Sequence, residues 1–313
     1  MLATVGFKLL ISAAVMLFLV HHINVGEIAL TLRQANPLFI WGAFALGVPN
    51  VLLQYIKWHI LLSTEKRNIA RRDIWGSLFA GMTLGLITPG RIGEFGRALF
   101  IERANRLRVL GLTMIDKTLA IFIIYFYGVW GFMFWESQFD QFSATLPLNF
   151  AIPLLIAIAF LVWKRQGWLK KSAKKWMPLK WHYRLSDLFT YSRTLSLQTV
   201  MKVSLLAALQ SLTYFIQFYL LVRAFSDVAL LTGLAAIASI MMAKSFLPLS
   251  FGDLGVRESA AIFFLAPLMV PKAAAFNASM ILFFINILLP SLIGIVFILQ
   301  RQVQVQRAAQ MSP

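Results

Sequence analysis

Two apolar runs in this chain break off in the same way. Residues 74–87 end at Thr88-Pro89-Gly90-Arg91-Ile92-Gly93-Glu94-Phe95-Gly96-Arg97. In the other half, a second run ends at Phe246-Leu247-Pro248-Leu249-Ser250-Phe251-Gly252-Asp253-Leu254-Gly255-Val256-Arg257-Glu258. The breaks are Pro89, Gly90 and Gly93 in the first, and Pro248, Gly252 and Gly255 in the second. Each is followed at once by Arg and Glu. Paired, Gly/Pro-interrupted apolar segments in the two halves of a chain point to a transport site in a membrane protein.

The surrounding sequence supports a membrane setting. The 313 residues are 59% hydrophobic and 13% charged, whereas a soluble domain is about half apolar and about a quarter charged. The chain therefore reads as an all-α polytopic membrane protein. Spanning helices need about 20 apolar residues each. Candidates are 2–22, read as an uncleaved first span, 38–58 with an interruption at Pro49-Asn50, 109–135, 149–163, 203–222 and 276–300. Residues 23–37 read as a polar loop. The run 74–87 is only about 21 Å long as a helix, and residues 91–108 are too charged to cross. It reads as one arm of a re-entrant hairpin, 74–108, with a second hairpin at 228–270.

Charge sets the orientation. Placing residues 64–73, 97–108, 164–202 and 301–307 in the cytoplasm puts 20 of the 29 lysines and arginines there, while the opposite loops hold Arg33 and Lys272. The positive-inside rule then gives N-in and C-in, with about six spans and two hairpins entering from opposite faces. The arrangement is an inverted repeat within one integral membrane domain, 1–313: a first half 1–163, a basic cytoplasmic loop 164–202, and a second half 203–313. The net charge of +17 fits cytoplasmic loops facing anionic lipid. The loop's interleaved tryptophans and lysines suit a surface helix on lipid, not nucleic acid.

The chemistry concentrates at the breaks. Thr88 is placed to cap a half-helix opening at Pro89, and Ser250 with Asp253 resembles a capping box. Half-helix N-termini attract anions, and Arg presents a fork suited to phosphate. The candidate substrate-binding residues are Arg91, Glu94, Arg97, Asp116, Lys244, Asp253, Arg257 and Glu258. Glu94 lies three residues after Arg91, and Asp253 four before Arg257, so each acid is placed to hold an arginine. Asp116, beside Lys117, is expected to pair with Arg91 or to titrate. Gly90, Gly93 and Gly96 line one face and suit close helix packing; Arg97, Arg103, Arg106 and Arg108 also suit headgroup contacts. No cysteine is present, no metal-ligand spacing appears, and no nucleotide or hydrolase motif is found. No catalytic residue, metal or cofactor is expected.

At Pro89-Gly90-Arg91-Ile92-Gly93-Glu94 and at Pro248 through Gly252-Asp253-Leu254-Gly255-Val256-Arg257-Glu258, the chain resembles the lysylphosphatidylglycerol synthase transmembrane family, flippase-like proteins of bacterial and archaeal membranes. The resemblance covers nearly the whole chain. Asp116 falls where the family often carries an acid, with Lys117 in place of the usual apolar neighbour. The resemblance implies a multi-pass protein of the cell inner membrane that moves a lipid with a charged or glycosylated headgroup between leaflets. The chain reads as a stand-alone member without the aminoacyl transferase domain, so lysyl-lipid synthesis is not expected. The expected partners are anionic membrane lipids. The alternative is a membrane-embedded glycosyltransferase, or an accessory subunit working with envelope-lipid biosynthetic enzymes.

Overall fold

The computed structural model describes residues 14–65, 68–101, 104–138, 195–246 and 253–310, and every regular element within them is helical. Residues 2–13 of the first expected span, the span 149–163, most of the basic loop, Arg103, Ser250 and the breaks Pro248 and Gly252 lie outside the described residues.

The chain enters through α1, Ala14–Ile23, and turns by 73° into α2, Val25–Arg33. The stretch expected to be a loop is thus largely helical. The Asn24 side chain caps α2 by accepting from Gly26 N at 2.9 Å, and Glu27 and Arg33 stand in its first and last turns, each complementing the helix dipole. Helix α3, Pro37–Ser63, has 27 residues. Asn36 caps it, accepting from Leu38 N at 3.0 Å, with Pro37 at the first position, where a missing N–H costs nothing. The expected interruption at Pro49-Asn50 does not break the helix, which runs through Pro49. Neighbouring helices support such a proline in a spanning segment.

Helix α4, Arg71–Ile87, has 17 residues, about 26 Å. A 310 segment, Pro89–Phe100, doubles back on it. Helix α5, Arg106–Ser137, is 32 residues long and is capped by Asn105. In the second half, α6, Leu197–Arg223, is capped by Ser196. Helix α7, Leu230–Phe246, precedes the second break, and α8, Val256–Leu265, follows it. Helix α9, Lys272–Phe283, passes through a π turn, Phe284–Leu288, into α10, Leu289–Gln310. Among the described residues, four helices are long and apolar enough to cross a membrane: α3, α5, α6 and the joined α9–α10; the bent α1–α2 pair makes a fifth if it counts as one span.

The helices pack reciprocally. Helix α4 lies against the 310 segment and α10, α7 lies against α8 and α5, and α3 packs on α6. Each short helix thus rests on a long helix from the other half. Both contacts close over a glycine: a Cβ at Gly294 would strike the Phe79 carbonyl of α4, and one at Gly131 would strike Ala238 and Ala235 of α7. Backbones this close gain packing that Leu-on-lipid contact does not supply. Large apolar side chains such as Trp41, Val48, Leu52, Phe126, Trp130 and Leu299 point outward, as lipid-facing positions do.

Candidate functional site

The first break is a kink rather than the start of an α-helix. Gly90 and Arg91 both take left-handed conformations, φ 62° and 58°. Glycine does so freely, but a residue with a Cβ pays about 1–2 kcal/mol. Arg91 is held there by an ion pair from its Nε to Glu94 Oε1 at 2.6 Å. Thr88 works differently from a simple cap. Its hydroxyl donates to Leu84 O at 2.8 Å and accepts from Gly93 N at 2.6 Å, tying the end of α4 to the returning segment. A Cβ on Gly93 would collide with Leu84 O and Thr88 Oγ1, so the hairpin closes only with glycine there.

Behind Arg91 lies a buried charge network. Asp116 forms an ion pair with Lys57 Nζ at 2.9 Å and accepts from Arg97 Nη1 at 3.2 Å. Glu94 takes Arg97 Nη2 at 3.3 Å, Arg91 and Lys117. Asp116 therefore pairs with Lys57 and Arg97, not with Arg91. Arg97 is not at a headgroup: it is 2% exposed and stands over the Trp58 ring at 5.2 Å. Gly81 and Gly85 of α4 leave the room that the Arg97 and Glu94 side chains fill. Arg108 does lie nearer the surface, paired with Glu65 at 2.9 Å. Four cations share two carboxylates, so the network carries two positive charges in excess. Such an excess at membrane depth is costly unless an anion answers it.

The second break builds a different arrangement. Helix α8 is not capped by Asp253. The N–H of Gly255 donates to Glu258 Oε2 at 2.7 Å. Asp253, itself left-handed at φ 64°, pairs with Lys244 at 3.2 Å. Arg257 is fully buried and donates to Glu258 at 2.6 Å and, through Nε, to Ser279 at 2.8 Å; Ser279 in turn donates to Glu258 at 2.9 Å. Both pairs are electrically balanced. Asp253 lies within electrostatic reach of Arg91 and Arg257 as well as Lys244, which couples the two breaks.

Between them is a cavity of about 170 Å³, lined among others by Arg91, Lys117, Lys244, Asn50, Gln210 and Tyr214. Three cations face it from three elements, while Glu94 and Asp253 hold them from behind. Of the candidate residues, Arg91 and Lys244 reach this cavity. Glu94, Arg97 and Asp116 form its backing, and Asp253 orients Lys244. Arg257 and Glu258 stand apart in their own buried pair. Among the described residues, no group of three or more His, Asp or Glu side chains is placed to hold a metal.

Several residues at the site were not singled out by the sequence. Lys57 reads as an interfacial residue because it ends an apolar run, yet it is 4% exposed and also donates to Gln210 at 2.9 Å. Lys117 reads as a mere neighbour of Asp116. The signal available for both was a lysine inside a span, which has to find a partner. The amides Asn50, Gln210, Gln217 and Asn286 carried the same signal more faintly.

No curated protein and no solved structure matches this chain. A family model, that of the lysylphosphatidylglycerol synthase TM region, matches residues 5–294, taking in both breaks, the charge network behind the first and the cavity between them. The chain belongs to the lysylphosphatidylglycerol synthase TM region family.

Proposed function

We propose that this membrane protein translocates a lipid with an anionic, phosphate-bearing headgroup between leaflets, and that the headgroup binds in the cavity between the two breaks. The observation that carries the reading is the uncompensated charge: Arg91, Lys117 and Lys244 face one polar cavity, and Arg91 and Lys117 belong to a network in which four cations, with Lys57 and Arg97, share two carboxylates. A phosphodiester or polyprenyl-phosphate group supplies the missing anion, and the Arg91 fork accepts it in two-point contact. The broken hairpins, each packed on the other half, support an inverted repeat opening alternately to either side, in an inner membrane with both termini cytoplasmic. The carboxylates near the cavity are each held by a cation, which suits them to orienting charge better than to proton abstraction.

The test is leaflet exchange. The purified protein, in liposomes with fluorescent phosphatidylglycerol or a labelled polyprenyl phosphate, is expected to accelerate exchange at least tenfold over protein-free vesicles. Exchange of neither lipid above the protein-free rate sinks the proposal.

A further inference from the structure

Outside the cavity, across one layer of side chains, α3, α4 and the α9–α10 junction enclose an apolar groove of about 380 Å³. Val51, Leu52, Trp75, Phe79, Ile285 and Ile293 are among its walls, and Val48, Leu52 and Ile293 open it outward, at 62%, 44% and 47% exposure. Groove and cavity share a boundary made of amides. Asn50 Nδ2 donates to Asn286 Oδ1 at 2.5 Å, Asn286 Nδ2 donates to Gln217 Oε1 at 2.8 Å, and Gln217 Nε2 donates to Ala43 O at 2.8 Å. Asn50 and Asn286 line the cavity, while their chain neighbours Val51 and Ile285 line the groove.

Both helices are weakened at this boundary. Pro49 precedes Asn50 inside α3. Asn286 sits in the π turn, and Pro290, four residues on, lacks the N–H that would take the Asn286 carbonyl. Asn50 Oδ1 takes no hydrogen bond from another protein group, so the Asn50–Asn286 pair is held by the single bond from Asn50 Nδ2 to Asn286 Oδ1. A pair held by one bond, between a proline in one helix and a π turn in the other, is placed to part.

We infer that the groove holds a hydrocarbon chain of the transported lipid while its headgroup occupies the cavity, and that the Asn50–Asn286 pair is the partition that opens to let the lipid's polar junction through. The inference rests on the translocation reading. It commits to a lipid chain as occupant because the groove is apolar, faces outward from spanning helices and adjoins a cationic cavity across one amide pair.

The chain has no cysteine, so Asn50→Cys with Asn286→Cys gives a clean pair of thiols. The exchange of this variant in liposomes with labelled phosphatidylglycerol before cross-linking is its own reference, and a variant that exchanges no lipid before cross-linking overturns the partition, since removing a partition leaves the passage open. A short bifunctional thiosulfonate across the pair is expected to slow exchange at least tenfold, with recovery on reduction. Unchanged exchange after cross-linking overturns the partition. Binding in detergent tests the groove separately. Val51→Trp is expected to weaken dioleoyl phosphatidylglycerol at least fivefold while leaving glycerol 1-phosphate within twofold. Equal effects on both probes, or none on the diacyl lipid, overturn the groove assignment. A wild-type protein that exchanges no lipid counts against translocation itself, and the binding comparison then decides the groove on its own.

Discussion

At the scale of single residues, the charges divide into those that face the cavity and those that hold the fold. Asp116 is of the second kind, since it pairs with Lys57 and Arg97 where both are almost fully buried. Asp116→Asn strands Lys57 and leaves Arg97 with Glu94 alone, and breaking a buried pair from one side costs about 3–5 kcal/mol. Thermal unfolding in detergent is expected to show that loss, and adding Lys57→Met is expected to restore part of it, because the two sites share one interaction. A destabilisation within about 0.5 kcal/mol would mean that the network is not as closed as its distances indicate. Arg91 and Arg257 contrast in the same way. Arg91 has a side chain 31% exposed and lines the cavity, so Arg91→Ala is expected to cut phosphatidylglycerol exchange at least tenfold with little change in unfolding. Arg257 is sealed against Glu258 and Ser279, so Arg257→Lys is expected to lower stability more than headgroup affinity; the reverse pattern would put Arg257 in the binding site. The arginines and acids at the breaks were legible in the sequence because charge inside an apolar run is expensive. Their partners were not. Local spacing correctly paired Arg91 with Glu94 but wrongly gave Asp253 to Arg257, which takes Glu258 while Asp253 takes Lys244, and no spacing within one segment brings Lys57 of α3 to Asp116 of α5.

At the scale of helices, the sequence marked the broken runs because proline and glycine are visible wherever they fall. It misjudged what each one does. Pro49 reads like Pro89, yet α3 continues through Pro49 and is packed along its length on α6, while the chain reverses at Pro89-Gly90. The difference lies in the following residues: Gly90 and Arg91 turn left-handed and Glu94 fixes the turn, whereas Asn50 continues in the helix and turns its side chain to Asn286. The 23–37 stretch was obscured by its mixed polarity, although Asn24 and Glu27 spell a helix start. The packing that joins the halves has its own test. Gly294→Val places a branched side chain against the Phe79 carbonyl and Thr83 hydroxyl, and overpacking of that kind costs about 1–3 kcal/mol or more. Gly42→Ala meets only Leu220 at ordinary contact, 3.4 Å, and is expected to be neutral or slightly stabilising. If the two variants unfold at the same temperature, the α4–α10 contact is looser than its geometry implies.

At the scale of the whole molecule, the question is how the two halves are set in the membrane. Charge asymmetry gives an orientation to test, but a count of apolar runs does not fix how many cross, because α4 and α7 have 17 residues each and need the other half to bury them. Each short helix leans on a long helix of the opposite half, so neither hairpin is independent. The proposed inverted repeat would make this reciprocity useful: movement of one hairpin against the shared helices would close one face of the cavity as it opened the other. The arrangement predicts opposite sidedness for two exposed positions flanking the hairpins. Asn68 precedes α4 in the basic 64–73 stretch, which the positive-inside rule assigns to the cytoplasm. Met269, 88% exposed, lies between α8 and α9 beside a stretch whose single cation is Lys272. In the cysteine-free chain, Asn68→Cys is expected to react with a membrane-impermeant maleimide only in inside-out vesicles, and Met269→Cys only in right-side-out ones. Both positions lie at the ends of their hairpins, so the labels read sidedness without entering the cavity. Reaction of both from the same face would place the hairpins in parallel, and a single rocking motion would no longer expose the cavity alternately to the two leaflets.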